Sequence, residues 1–295
     1  MELEVVNRLT KDLKTATVSL SRNEARYMVD AYYTMQDSRI RSHNQERALD
    51  ESGESHKVIT WFAAQHVMLE NQVKRALDAW GDAHPVGVWA KSICGIGPVI
   101  SAGLLANVDI TRAESAGNIW SFAGLAPQIA WNKGEKRPFN ADFKTLCSFK
   151  LGECFVKVQN NENDHYGRMY AKRKKIEIER NDAGEFADQA VAKLQKFKIG
   201  KTTEAYKHYS AGRLPPAHIH ARARRYAVKI FLSDYHLVAY YHHFGTMPAL
   251  PYVFEHMVGH VHYVPPPNLD LIPGLPEAMV GYLNRIRARD SRGAA

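Results

Sequence analysis

Apolar side chains recur every three or four residues over most of the first 81 residues, which places them on one face of α-helices. Ser21 and Glu24 in "SRNE" form the pattern of a capping box and predict a helix start. Gly53 and Ser55 interrupt the periodicity. Residues 1–84 are therefore predicted to form two long antiparallel helices, a coiled-coil-like hairpin. The apolar residues that define it are Ala25, Met28, Val29, Tyr32, Met35, Val58, Trp61, Phe62, Ala64, Met68, Leu69, Val73, Ala76, Leu77 and Trp80.

The rest of the chain lacks strand-like alternation, so the predicted fold is mostly α. Residues 85–250 are expected to form a second helical domain, closed by a long helix over 217–244. Residues 180–214 interrupt it as an accessory unit with helices near 184–197 and 203–210. Residues 251–295 contain "PPP" and four arginines, and we expect a Pro-rich basic tail that is at most partly ordered.

The composition indicates which kind of partner the protein binds and in which cellular compartment it is found. The chain has 295 residues, 45% hydrophobic and 24% charged, which is normal for a globular protein. Its net charge of +8 favours an acidic partner, with DNA first and RNA as an alternative. Three cysteines without a CxxC pair favour a reducing compartment. Without a signal-like start or a long apolar run, we expect a cytoplasmic protein with no membrane partner, and a homo-oligomer formed through the N-terminal helices.

"SICGIGPVISAGLL" (92–105) contains the most informative short motif, a turn of small residues between two helices. Glycines permit close backbone approach, and Pro98 suits the first turn of the second helix. Unpaired amides at a helix start can bind a phosphate oxygen. Such a helix-hairpin-helix would hold DNA backbone through the amides of Gly95, Ile96, Gly97 and Val99. A tight turn between two helices with no ligand is the alternative.

Two motifs in order carry a resemblance to a known family. "GIGPVISAGLLANV" is followed by "IWSFAGLAPQ" and by the basic loop "KGEKR", and "AHIHARARRYAVKIFL" comes later. This order resembles the C-terminal domain of bacterial insertion-sequence transposases, the bridge-RNA-guided recombinases with a DEDD catalytic domain. The resemblance covers residues 88–245, apart from the 180–214 insertion. It implies a role in DNA recombination or transposition.

The chain also departs from that family. The resemblance implies an N-terminal RNase H-like domain with four acidic ligands, and no such pattern precedes residue 88. It also implies a nucleophilic serine soon after the Ala-Pro pair, where this chain has Ala130-Trp131-Asn132-Lys133-Gly134. Ser148 lies farther on, and we interpret it as a packed helix residue. No catalytic residue is therefore assigned, and enzyme activity is left open.

Basic clusters extend the predicted DNA-binding site beyond the hairpin. They lie in the loop after "FAGLAP" and in the long helix, with aromatic residues between them. Such clusters neutralise phosphates, while tyrosine and tryptophan can stack on unpaired bases. The alternative is a solvated helix face. The predicted DNA-binding residues in these clusters are Lys133, Lys136, Arg137, Arg222, Arg224 and Arg225.

Metal binding is weighed and not predicted. His256, His260 and His262 have a spacing that zinc could use, but ordinary polar packing is preferred. Glu162 and Asp164 could hold Mg²⁺, yet Asp164 is better explained as a helix cap. No cofactor is therefore predicted, and Mg²⁺ enters only if the chain is an enzyme.

The sequence thus predicts a DNA-binding protein that resembles a transposase C-terminal domain, carried alone by a mobile element or a phage. An active transposase or nuclease with an unplaced catalytic site is one alternative. A helical scaffold that binds other proteins is the other. Salt-dependent DNA binding separates the scaffold from the two other classes.

Overall fold

The computed structural model describes residues 11–54, 56–127, 131–132, 134–256 and 263–293. Within these ranges the chain is helical and contains no strand, which confirms the mostly α prediction. Short 3₁₀ turns lie at Ile110–Arg112 and Leu269–Leu271. The α-helices are α1 (Lys11–Thr17), α2 (Arg22–Ser52), α3 (Lys57–Asp82), α4 (Pro85–Ser92), α5 (Pro98–Asn107), α6 (Ala116–Phe122), α7 (Ala141–Thr145), α8 (Gly152–Val158), α9 (Tyr166–Asp182), α10 (Ala187–Lys196), α11 (Glu204–Ser210), α12 (Pro216–Phe244), α13 (Tyr252–His256) and α14 (Leu275–Gly293).

Helices α2 and α3 form the predicted N-terminal hairpin. The capping box at Ser21 is confirmed, since its side chain accepts from the Glu24 amide and the Glu24 carboxylate accepts from the Ser21 amide. The end of the hairpin nearest α5 is buried in a cluster with that helix. Val58 and Phe62, which belong to the apolar stripe of α3, are exposed at the loop end of the hairpin.

The long helix α12 forms the centre of the main core. Its Phe231 stacks on Trp89 of α4 with the ring centroids 6.0 Å apart, and it also packs against Phe155 of α8. All three rings are fully buried. Burial of such aromatic groups on one helix fixes α4, α8 and α12 relative to one another.

Helices α7 and α8 are joined without a break by a π-helical segment, Leu146–Leu151. Leu146 of this segment packs on Gly103 of α5, where a Cβ would lie 2.7 Å from a Leu146 methyl carbon. The absence of a side chain at Gly103 therefore sets the approach of α5 to the π segment.

The accessory segment has its own small hydrophobic cluster. Phe186, Ala190, Tyr209 and Leu214 are buried together with Ile219 at the start of α12. The helices predicted near 184–197 and 203–210 are present as α10 and α11. This cluster fastens the segment to the first turn of α12.

In the described part of the C-terminal segment helix α14 is packed, contrary to the expectation of a poorly ordered tail. Leu275, Met279, Tyr282 and Ile286 of α14 belong to the main core. The indole nitrogen of Trp89 also donates to the Pro267 carbonyl, 2.9 Å away. Among the described helices, none is both long and apolar enough to cross a membrane.

Candidate nucleic-acid interface

The turn between α4 and α5 has two glycines with different roles. Gly95 has φ +91°, the left-handed region in which side chains are strained, and Gly97 has an ordinary φ of −96°. A Cβ on Gly95 would lie 3.3 Å from the Cys154 carbonyl oxygen and from the Val158 methyl groups of α8. A Cβ on Gly97 would have no neighbour within 4 Å. Gly95 thus seats the turn on α8, while Gly97 faces open space.

The predicted amide donors are not equivalent. The Ile96 amide donates to the Ile93 carbonyl at 2.9 Å, so it is used within the turn and is not available to a phosphate. The side chains of Ile96 and Val99 are buried and anchor the hairpin. Pro98 occupies the first turn of α5, as expected, and no side chain caps that helix. Phosphate binding by the amides of Gly95, Gly97 and Val99 stays a prediction.

Two of the predicted arginines on α12 are engaged inside the protein. The Arg222 Nε lies 2.6 Å from the Glu177 carboxylate of α9, whose side chain is 1% exposed. Arg224 pairs with Glu153 of α8, and its own side chain is 14% exposed. These guanidinium groups hold α8 and α9 against α12, so they are poor candidates for DNA contacts.

Arg225 has a different environment, because other cations surround it. Burial and the charges of Arg225 and Arg137 lower the pKa of Lys144. Burial and Arg225 likewise lower the pKa of Lys229. In the part of the chain that the structure describes, none of these four residues forms an ion pair with a carboxylate. We call Arg137, Lys144, Arg225 and Lys229 the basic surface.

Aromatic rings hold the cations of the basic surface in place. The Lys229 ammonium lies 4.0 Å from the ring centroid of Trp120 of α6, and the Lys144 ammonium lies 4.1 Å from that of Phe139. The Trp120 indole also donates to the Lys229 carbonyl at 3.0 Å. Such contacts attract a cation to the ring face. Aromatic rings, and not carboxylates of the described residues, therefore position the ammonium groups of Lys144 and Lys229.

The loop after "FAGLAP" is stabilised by its own turn. Trp131 donates from its indole nitrogen to the Glu135 carbonyl at 2.9 Å, and the Arg137 guanidinium lies 5.5 Å from the Trp131 ring centroid. Lys136 is exposed in this turn. Lys133 lies outside the described residues, and so do His260 and His262; the side chain of His256 is not described either.

The structure also shows the surroundings of Asp164 and Ser148 and of the groups considered for metal binding. Asp164 accepts a hydrogen bond of 2.9 Å from the Gly167 amide at the start of α9, which confirms its capping role. Ser148 lies half-buried in the π-helical segment. Across the described ranges no three His, Cys, Asp or Glu side chains are grouped in a way that could hold a metal ion.

Lys144 and Lys229 are candidate DNA-binding residues that the sequence analysis does not predict. Lys229 was part of a basic run on α12, but nothing in the sequence separated it from Arg222 and Arg224. Lys144 follows the loop as a single lysine in a helix. Its proximity to Arg225 depends on the packing of the π-helical segment, which follows α7, against α12, and this leaves no local sequence signal.

Comparison with known proteins agrees with the motif order. No curated protein sequence and no solved structure matches the chain. Residues 89–131, which run from α4 through the hairpin, α5 and α6 into the loop, match the model of a family described as "Transposase IS116/IS110/IS902 family". The resemblance inferred from the sequence is thus confirmed over these residues. In this segment the chain is similar to the transposases of that family, which supports a transposase-related role.

Proposed function

We propose that the protein binds DNA through its basic surface and the turn between α4 and α5, in a process of DNA recombination or transposition. The observation that carries the proposal is the grouping of Arg137, Lys144, Arg225 and Lys229 without a carboxylate partner among the described residues. Cations that repel one another are stabilised when an anion enters between them. The regularly spaced phosphates of DNA supply several such anions at once.

The proposal separates two kinds of arginine on α12. Arg225 is exposed, and its charge lowers the pKa of Lys144 and of Lys229. In the proposal it binds phosphate. Arg222 and Arg224 keep α12 attached to α9 and α8, and they contribute to DNA binding only by positioning Arg225. Lys136, exposed in the loop, adds a peripheral phosphate contact.

Titration of duplex DNA across a range of salt concentrations tests the proposal. Each phosphate contact contributes about 0.9 to the slope of log affinity against log salt. Arg225→Gln combined with Lys144→Gln should weaken binding and lower this slope by about 2. Arg47→Gln is the matched control, because Arg47 is an exposed arginine on α2, far along the chain from the basic surface. An unchanged slope in the double variant would contradict the proposal.

The proposal includes self-association through the N-terminal hairpin. Phe62 and Val58, four residues apart on α3, are 52% and 49% exposed. Residues at that spacing lie on one helix face. A second copy of the hairpin could cover them, and a dimer would present two basic surfaces to one DNA molecule.

A further inference from the structure

A large polar cavity lies on the side of α6 that faces away from the basic surface. It is open to solvent on one side, has a volume of about 770 Å³, and is lined by residues from the start of α2, the end of α5 and α6. Trp120 of α6 contacts Lys229, whereas Phe122 of the same helix lines the cavity. A volume of this size is typical of sites for small organic ligands.

The cavity carries a positive charge. Arg22, Arg26 and Arg112 line it, with Asp109 as the carboxylate among its lining residues. Asp109 lies 3.4 Å from the Arg22 guanidinium and offsets one charge. A neighbouring cavity of about 410 Å³ is lined by three carboxylates, Asp30, Asp37 and Asp142, and by two cations, Arg26 and Lys150. An anionic ligand is therefore favoured in the first cavity.

Buried polar atoms in the cavity wall lack partners within the protein. Asn107 is only 8% exposed; its amide nitrogen donates to the Gly103 carbonyl, while its Oδ1 has no hydrogen-bond partner. The Nε atoms of Arg22 and Arg26 are also buried without a partner. Such groups are normally satisfied, but these three atoms have almost no accessible surface, so a ligand reaches them only after their side chains rotate towards the cavity.

An aromatic ring completes the set of contacts. Phe122 is 37% exposed at the cavity, although its ring also packs on Phe143 with the centroids 5.2 Å apart. A ring with one supported and one exposed side offers a stacking surface for a flat heterocycle. A flat heterocycle linked to a phosphate is the chemistry of a nucleotide.

We propose that this cavity binds one unpaired nucleotide of a nucleic-acid strand. The base stacks on Phe122, while Arg22 and Arg112 bind the phosphate. This rests on the proposed function in one respect, that the protein engages nucleic acid. It adds that the protein distinguishes a strand with an unpaired nucleotide from a fully paired duplex.

The test uses the full chain and two DNA molecules, a blunt hairpin duplex and the same duplex with a short single-stranded overhang containing 2-aminopurine. Binding of the overhang should quench the 2-aminopurine fluorescence through stacking. Phe122→Leu and Arg112→Gln should each weaken overhang binding, the former by about tenfold, and leave blunt-duplex binding unchanged. Arg47→Gln is the control with no expected effect on either DNA.

The outcomes separate the two proposals. Equal affinity for both DNA molecules, with no effect of Phe122→Leu, would overturn the cavity assignment even if the basic surface binds duplex. Cavity-dependent binding of the overhang without duplex binding would support the cavity and contradict the basic surface. Deoxyadenosine monophosphate, added alone, identifies the source of the nucleotide. If it binds as tightly as the overhang, the ligand is a free nucleotide and the strand-binding proposal is overturned.

Discussion

The Tyr166 hydroxyl donates a hydrogen bond of 2.8 Å to the Asp234 carboxyl Oδ2 in the interior of the protein. Both side chains are at least 97% buried. Burial raises the pKa of Asp234 to about 8, although the Tyr166 hydrogen bond acts in the opposite direction. Asp234 is therefore a protonated core residue at neutral pH, and it joins α9 to α12 without a charge.

The protonation of Asp234 predicts how stability changes with pH. Because the pKa is higher in the folded state, its contribution is fully present below about pH 4 and is lost as the pH rises towards about 8. Asp234→Asn should flatten this part of the stability curve, as measured by urea unfolding at a series of pH values. Tyr166→Phe should leave the onset of the loss unchanged and extend the loss to higher pH, because it removes the hydrogen bond that lowers the folded-state pKa. A wild-type curve that does not fall over this range would contradict the assignment.

Glu177 has the opposite pH dependence. Burial raises its pKa, but hydrogen bonds from Arg222 and Arg173 outweigh this effect and lower it. Its contribution to stability is thus present at neutral pH and is lost as the pH falls through the folded-state pKa. Glu177→Gln should cost about 3 kcal/mol at neutral pH and reduce the acid sensitivity.

Thermal unfolding at neutral and acidic pH measures the effect of Glu177→Gln. Glu204→Gln is the matched control, because Glu204 pairs with Lys207 on the surface and its side chain is 78% exposed. The control should keep the unfolding midpoint of the wild type. If both variants behave alike, Glu177 does not anchor Arg222, and the structural role given to that arginine is wrong.

Substitution of the two glycines in the turn between α4 and α5, Gly95 and Gly97, is expected to affect stability differently. Gly95→Ala should lower stability by about 1–3 kcal/mol, since it combines a positive φ with a close approach to α8. Gly97→Ala should leave stability unchanged. Chemical denaturation of both variants measures this difference.

Substitution of Gly97 tests the phosphate contact that is predicted for the amides of the turn between α4 and α5. Gly97→Val together with Lys136→Ala should weaken DNA binding while the protein stays folded, because a branched side chain at Gly97 projects into open space beside the amides. Unchanged affinity in that double variant would mean that the hairpin is a tight structural turn without a DNA ligand.

Local sequence signals predicted the local features of this fold. The capping box at Ser21, the Asp164 cap and the helix boundaries around Pro98 depend on residues a few positions apart. The tail also carried such a signal, because Leu275, Met279, Tyr282 and Ile286 are at helical spacing. The three prolines at 265–267 favoured a poorly ordered tail instead, so the packed helix α14 was not predicted.

The sequence could not predict which arginines of α12 form ion pairs within the protein and which remain available to DNA. Arg222 and Arg224 are paired by carboxylates that lie 45 and 71 residues away along the chain. A run of basic residues looks uniform in the sequence, whereas helical geometry directs its members to different neighbours. The distant partners decide which of the charges remain available to DNA.

Self-association of the hairpin predicts the effect of a charge at Phe62. Phe62→Glu should about halve the mass measured by light scattering, because a buried unpaired carboxylate costs more than the apolar contact contributes. Helical content should stay the same, since Phe62 is half-exposed within the chain. Arg47→Glu, an exposed substitution on α2 within the same hairpin, is the control and should keep the mass of the wild type. If the wild type and Phe62→Glu have equal mass, the exposed face of α3 does not mediate self-association, and each chain binds DNA alone.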